Sequence, residues 1–94
     1  MLIVSGRLYV QPGRRDDFLK LSLEAVVQAR HASGCKDFVV AADPLDANRV
    51  NVYEEWESEG QLLAFRDADS ASSMLSLIER FDVLKHAVAA SGPP

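Results

Sequence analysis

The sequence predicts a single α+β domain in which helices cover one face of a four-stranded antiparallel sheet. Period-two alternation, segments with helical apolar spacing, and turn residues between them lead to this prediction. With 94 residues, of which 48% are hydrophobic, the chain is long enough for one core and too short for two domains. We expect the domain to span residues 1–90 and the tail, SGPP, to span residues 91–94.

The first strand and the first helix follow from two different periodicities. Alternate residues from Leu2 to Val10 form an apolar face, which is typical of a strand with one buried side. After the turn sequence QPGRRDD, apolar residues recur at helical spacing and predict a helix from about Arg14 to His31. Gly34 can take the left-handed conformation that ends a helix.

Two strands joined by a hairpin loop are predicted next. The stretch CKDFVVAA, from Cys35 to Ala42, is rich in β-branched and aromatic residues, and DPLDANR is rich in turn formers. The third strand is then expected from Arg49 to Trp56. Together these segments predict a β-hairpin in the middle of the chain.

A capping box predicts where the second helical region begins. Ser58 and Gln61 have the spacing at which each side chain satisfies a backbone N–H group of the first helical turn. We expect a short helix from about Glu59 to Arg66, an interruption at DADSAS, a second helical piece at SMLSLIERF, and a last strand from about Asp82 to Ala90. The resulting order is the ferredoxin-like βαββαβ arrangement.

The sheet face away from the helices is predicted to meet a second copy of the chain. Helices cover only one face, so the other is either solvated or buried by a partner. A domain of this size buries only about 60% of its unfolded surface, which favours further burial through a homodimer. The residues expected on this outer face are Ile3, Arg7, Tyr9, Val39, Ala41, Tyr53 and Glu55.

Composition argues against several other partners. Ten Lys and Arg against fourteen Asp and Glu give a net charge of −4, which provides no basic field for nucleic acid. The apolar start MLIVSGRLYV is too short to span a membrane and lacks a basic leader, so we expect a soluble, cytoplasmic protein. The single Cys35 allows neither an internal disulfide nor a cysteine metal site, which fits a reducing compartment.

Three stretches of the chain resemble the antibiotic biosynthesis monooxygenase family. They are VQPGRRDDFL, ARHASGCKDF and NVYEEWESEGQLLAF, and the most specific piece is the Tyr-Glu-x-Trp-x-Ser run from Tyr53 to Ser58. The resemblance covers about residues 2–90 and implies a dimeric α/β-barrel, in which two sheets pack face to face and each protomer keeps a pocket between sheet and helices. Some members oxygenate aromatic polyketides or quinols with molecular oxygen and neither metal nor flavin, so the resemblance implies no cofactor.

Haem-degrading relatives are disfavoured by three positions. They carry an asparagine where Gly6 stands, a tryptophan where Phe65 stands, and a histidine ligand near Leu75. The two histidines of this chain, His31 and His86, have no paired ligand at metal spacing. We therefore expect no haem and no metal site.

The oxygenases of the family resemble the chain more closely but also differ in polar groups. Many carry histidines at the positions of Phe65 and Ser70, and some carry a substrate-holding asparagine at the position of Val52. Trp56 is retained. The pocket is therefore expected to be more apolar, with fewer groups that can move a proton.

Glu54 and His86 are the candidate catalytic residues. Glu54 shares a strand face with Val52 and Trp56, and a carboxylate in an apolar pocket has a raised pKa and can act as a base near neutral pH. Alternatively, Glu54 pairs with cationic or backbone donors where the strand meets the helix. A histidine on a strand is more often a surface or interface residue, but the ordinary pKa of a histidine suits a proton shuttle if the side chain faces a cavity, and the sequence leaves the facing of His86 open.

The candidate substrate-binding residues are apolar or aromatic. Trp56 is a candidate core anchor and a candidate stacking wall, and the two roles are compatible. The others fill the space between helices and sheet, or line it if a pocket is open. They are Trp56, Phe65, Val52, Phe38 and Met74, with Leu77 and Phe81 expected in the same space. Two functions remain open: a cofactor-independent monooxygenase of small aromatic, phenolic or quinol substrates, or a non-catalytic dimeric module that binds a hydrophobic or aromatic metabolite.

Overall fold

The ferredoxin-like βαββαβ fold is confirmed. The computed structural model describes residues 1–68 and 72–94. The elements are β1 (Leu2–Val10), α1 (Arg15–His31), β2 (Cys35–Ala42), β3 (Arg49–Trp56), α2 (Glu59–Ala68), α3 (Ser72–Leu75) and β4 (Ile78–Ala87). The four strands form one antiparallel sheet in the order β2-β3-β1-β4. Within the described ranges, no helix is both long and apolar enough to cross a membrane.

Strand register places the apolar residues on the face that the helices cover. In the central pair of strands, Val4 lies opposite Glu54 and Leu8 lies opposite Val50, so alternate residues of β1 and β3 share this inner face. Hydrophobic side chains that are at most 7% exposed form the core beneath α1 and α2: Val4, Leu8, Val10, Phe18, Ala29, Phe38, Val50, Trp56, Leu62 and Leu77. The alternation predicted for β1 is therefore confirmed.

The junction between α1 and β2 depends on a glycine, as predicted. Gly34 has φ +84°, the left-handed conformation that suits glycine after a helix end. A Cβ atom there would lie 2.1 Å from Oε1 of Gln61, so the glycine also lets α2 approach closely. The helix itself begins at Arg15, one residue later than expected.

The capping box at the start of α2 is only half formed. The Gln61 backbone N–H donates to the Ser58 hydroxyl at 3.3 Å, and that hydroxyl donates to Gln61 Oε1 at 3.0 Å. The Gln61 amide nitrogen donates to the hydroxyl of Ser33 at 3.2 Å instead of capping its own helix. Gln61 therefore ties the start of α2 to the end of α1.

The predicted boundary between the last helical piece and the last strand is wrong. The helix α3 ends at Leu75, and β4 begins at Ile78, not at Asp82. Residues 78–81 pair with β1, where Ile78 lies opposite Val10 and Phe81 lies opposite Leu8. Because this pairing satisfies backbone groups along the edge of β1, it overrides the helical apolar spacing of SMLSLIERF. Phe81 does not fill the core as expected and is 63% exposed.

A side chain at position 6 has no room beside β4. Gly6 has φ +148°, and a Cβ atom there would lie 2.2 Å from the backbone oxygen of Asp82. Gly6→Ala therefore combines an unfavourable backbone conformation with a clash against a backbone atom, and we expect it to lower the free energy of unfolding by about 2 kcal/mol or more. Urea denaturation followed by circular dichroism measures this change.

Gly60→Ala is the matched control for this substitution. No atom lies within 4 Å of a Cβ atom built at Gly60, which is in the first turn of α2. Alanine favours helix over glycine, so this variant should be as stable as the native chain or slightly more stable. Equal losses in the two variants would contradict the close approach of β4 to Gly6.

Candidate functional site

A cavity of about 160 Å³ lies between the inner face of the sheet and the helices. We call it the inner pocket. Its wall combines one carboxylate and one guanidinium group with apolar side chains and a serine. The lining residues are Ser22, Ala25, Phe38, Val40, Glu54, Phe65, Arg66 and Met74.

Glu54 is held in the inner pocket by the tryptophan two residues later. The Trp56 indole N–H donates to Glu54 Oε1 at a distance of 3.0 Å. Trp56 is 0% exposed, so its N–H group needs a protein acceptor, and the side chains of β3 residues two apart lie on the same face. The buried indole therefore fixes the position of the carboxylate.

The environment of Glu54 favours its protonated form. Burial raises the pKa of the Glu54 carboxyl above its ordinary value of 4.5, because a charged carboxylate loses water contacts in this pocket. The hydrogen bond from Trp56 and the positive charge of Arg66 oppose this effect and lower the pKa in part. A carboxylate with a raised pKa is suited to accept a proton from a weak acid near neutral pH.

Two aromatic rings form the apolar wall beside Glu54. The ring centroid of Phe65 lies 5.8 Å from that of Phe38 in an edge-to-face arrangement and 5.4 Å from that of Trp56 in a tilted one. Trp56 is completely buried behind Phe65, whereas Phe38 and Phe65 line the pocket. Trp56 thus packs as a core anchor that supports the wall.

Of the seven candidate site residues, the structure brings five together and separates two, Val52 and His86. Glu54, Phe38, Phe65 and Met74 all line the inner pocket, with Trp56 behind them. Val52 packs against the neighbouring part of the core that contains Val50, and it does not line the pocket. Position 70, where a histidine was looked for in the sequence, is outside the described residues.

His86 lies on the opposite face of the sheet from Glu54. It pairs with Ile3 of β1, whereas Glu54 pairs with Val4, and neighbouring strand residues point to opposite faces. The His86 side chain is exposed. Within one chain, His86 therefore does not reach the inner pocket, and the open question of its facing is answered.

Sequence reasoning missed four lining residues. Val40 follows Phe38 by two residues and Ala25 belongs to the apolar stripe of α1, so the periodicities could have identified both. Ser22 gives no sequence signal, because a serine within a helix is usually exposed, whereas here it is buried and its hydroxyl donates to the Leu19 carbonyl oxygen at 2.9 Å. Arg66 resembles any exposed charge near a helix end, and only the placement of α2 brings it to the pocket.

A second cavity of about 350 Å³ lies between the C-terminal part of α1 and the outer side of α2. We call it the helix groove. It is larger than the inner pocket but no titratable side chain lines it, so the inner pocket is the candidate site for acid–base chemistry. Its lining residues are Gln28, Ala32, Ser33, Gln61, Ala64, Phe65 and Ala68. Among the side chains of residues 1–68 and 72–94, no three His, Cys, Asp or Glu groups converge as metal ligands.

Comparisons with known proteins agree with this architecture. A sequence model of the family described as antibiotic biosynthesis monooxygenase matches residues 1–75. A provisionally assigned antibiotic biosynthesis monooxygenase from Chloroflexus aurantiacus has a TM-score of 0.80 and 23% identity over 98% of this chain and 96% of that chain. One from Nitrosomonas europaea has a TM-score of 0.85 and 11% identity over 96% and 100% of the two chains.

A protein from Mycobacterium tuberculosis has the same fold, with a TM-score of 0.81 and 18% identity over 98% of each chain. No curated protein sequence matches the chain. At these identities, the solved structures establish the shared fold alone.

The raised pKa of Glu54 predicts a pH-dependent cost to stability. The folded chain binds the Glu54 proton more tightly than the unfolded chain, so the contribution of Glu54 to stability is greatest below pH 4.5 and is lost as the pH rises through the folded-state pKa. Glu54→Gln keeps an oxygen that accepts from Trp56 but never becomes charged. We expect this variant to have the same melting temperature as the native chain in acid and a higher one at neutral pH. Thermal unfolding from pH 4 to 8 measures the difference. Each unit by which the pKa is raised corresponds to about 1.4 kcal/mol of unfolding free energy.

Glu57→Gln is the matched control, because Glu57 is exposed just beyond the same strand. Its difference from the native chain should be small at every pH. If Glu54→Gln lost stability at neutral pH, the charged carboxylate would be a net stabilising group, contrary to this account.

Proposed function

Because the chain belongs to the antibiotic biosynthesis monooxygenase family, we propose that it is a cofactor-independent monooxygenase of small phenolic or quinol substrates. The observation that carries this proposal is the partly buried carboxylate of Glu54, which has a raised pKa and lies in a largely apolar pocket beside a cation. Such a carboxylate is the group that a phenol oxygenase without a histidine base needs. The inner pocket offers no other side chain of comparable basicity among the residues that line it.

In the first step, Glu54 takes the proton of the substrate hydroxyl. The product of this step is a phenolate, whose negative charge is favoured by the guanidinium group of Arg66 on the same pocket wall. Phe38, Phe65 and Met74 exclude water from the ring, which strengthens both interactions. Proton transfer thus converts a weak electron donor into a strong one.

In the second step, the phenolate reduces molecular oxygen. One electron passes to O2, and the phenoxyl radical and superoxide combine to form a C–O bond at a ring carbon that carries hydrogen. The O–O bond then breaks as that carbon loses its proton and becomes a carbonyl carbon. The outer oxygen leaves as water, which takes the proton lost from the carbon and the proton held by Glu54. A phenol and O2 become a quinone and water, so the substrate supplies all four electrons.

The outer face of the sheet supports the proposal that two copies form a homodimer. Several polar groups on this face are already paired within the chain: Arg7 with Asp82 at 3.0 Å, and Arg80 over the ring of Tyr9 at 4.4 Å from its centroid. Ile3, Val39 and Leu84 lie among them, and Leu84 is 64% exposed. Pairing of these charges within the chain lowers the electrostatic cost of burying the face against its own copy. A cytoplasmic location also stays a proposal.

The oxygenase proposal predicts a defined pH dependence. Oxygen uptake with a panel of quinols and anthrone-like phenols should rise with pH as Glu54 loses its proton, and Glu54→Gln should reduce the rate by about 100-fold or more. Arg66→Gln removes the positive charge that lowers the pKa of Glu54, so the rise in rate should move to higher pH. Lys36→Gln, which removes an exposed charge on β2, should leave the profile unchanged.

The outcomes separate the two functions. Unchanged uptake in Glu54→Gln would show that Glu54 is not the base. If phenols bind but no member of the panel causes oxygen uptake above buffer, the chain is a binding module for aromatic metabolites. This alternative is favoured by Phe65, an apolar residue at a position where many oxygenases that the sequence resembles carry a histidine.

The homodimer proposal predicts a change in mass on charging the sheet. Val39 lies opposite Tyr53 on the outer face, so Val39→Asp would place an unpaired charge between two sheets. We expect the native chain to elute as a dimer and Val39→Asp as a monomer, measured by size exclusion with light scattering. Leu45→Asp is the control, because Leu45 is 95% exposed in the β2–β3 loop. A monomeric native chain, or a dimer that survives Val39→Asp, would contradict the interface.

A further inference from the structure

Phe65 is the one side chain that lines both the inner pocket and the helix groove. On its inner side it contacts the rings of Phe38 and Trp56. The residue itself is half-buried, as expected for a ring with one side facing the groove. A rotation of this single side chain would connect the two cavities.

The size of the inner pocket limits what it holds alone. Small-molecule sites are usually about 300–1,000 Å³ in volume. The inner pocket has about 160 Å³ and the helix groove about 350 Å³. A single substituted ring matches the volume of the inner pocket, and the helix groove on the other side of Phe65 offers space for a further part of a ligand.

The groove lining indicates the chemistry of that further part. Ala32, Ala64 and Ala68 present methyl groups, and no charged side chain lines the groove. The polar group of Gln61 is committed to Ser58 and Ser33, as described above. A group that carries no charge and makes no hydrogen bonds fits this lining best.

We infer that the helix groove binds the alkyl substituent of a phenolic ligand whose hydroxyl group lies beside Glu54. This inference rests on the proposed function and adds a specificity site to it. A flexible alkyl substituent needs only a rotation of the Phe65 ring to enter the groove. A fused second ring needs a wider opening, which the neighbouring Leu62 resists because it is 0% exposed in the core and holds α2 in place.

The test uses binding, with the only tryptophan of the chain as the probe. Trp56 contacts both Glu54 and Phe65, so its fluorescence should change when a phenol enters the inner pocket. We expect affinity to increase from phenol through para-ethylphenol and para-butylphenol to para-hexylphenol, by up to about fourfold for each CH2 group that the groove buries.

Two variants that fill the helix groove test whether the alkyl substituent of the ligand binds there. Ala64→Phe and, independently, Ala68→Phe should abolish the gain with chain length and leave the affinity for phenol unchanged. Leu63→Phe adds the same ring on the same helix at a residue that is 47% exposed and outside the groove lining, and should keep the gain.

The results distinguish this inference from the proposed function. If phenol binds but affinity does not depend on chain length, or if the blocking variants and Leu63→Phe behave alike, the groove is not a substituent site and the proposed function stands. A gain for naphthol without a gain for the alkylphenols would assign the groove to fused rings and overturn the alkyl assignment. If phenol itself does not bind, both proposals fail.

Discussion

The hydrogen bond from the Trp56 indole to the Glu54 carboxylate links the core of this protein to its candidate chemistry. The indole is completely buried, so it must have an acceptor, and the acceptor that β3 supplies is an ionisable group two residues earlier. The hydrogen bond that gives the buried indole N–H its acceptor therefore also holds a carboxylate in the inner pocket and stabilises the charged form of that carboxylate in part. The YEEW sequence therefore combines, in Glu54, a hydrogen-bond acceptor of the core and a candidate catalytic carboxylate.

The apolar wall follows from the same arrangement. Phe65 packs on the buried indole and on Phe38, so the position that carries a histidine in many oxygenases that the sequence resembles is here part of an aromatic cluster. A base on α2 would have depended on how that short helix is placed. Glu54 lies instead on a central strand that is hydrogen-bonded on both sides, which fixes its position more firmly. Arg66, the residue after Phe65 on α2, adds a positive charge to the pocket wall and partly lowers the pKa of Glu54.

The local patterns of the sequence predicted most of the fold and part of the site. β1, β2 and β3 have the predicted ends, because alternation and turn residues agree with the final pairing. The start of β4 was not predictable from local spacing, since Met74, Leu77, Ile78 and Phe81 fit one helical face and only pairing with β1 decides otherwise. The role of Arg66 was equally hidden, because it depends on how α2 lies across the sheet. The facing of His86 required the register of β4, which a single sequence does not encode in an obvious motif.

The most direct test of the central claim is the pKa of Glu54 itself. Carbon-13 NMR of the Glu54 carboxyl, assigned by comparison with Glu54→Gln, follows its protonation across a pH titration of the folded chain. We expect a midpoint above the ordinary value of 4.5, and a still higher midpoint in Arg66→Gln. A midpoint at or below 4.5 would show that the hydrogen bond and the nearby cation outweigh burial, and Glu54 would then be a structural acceptor and not a base.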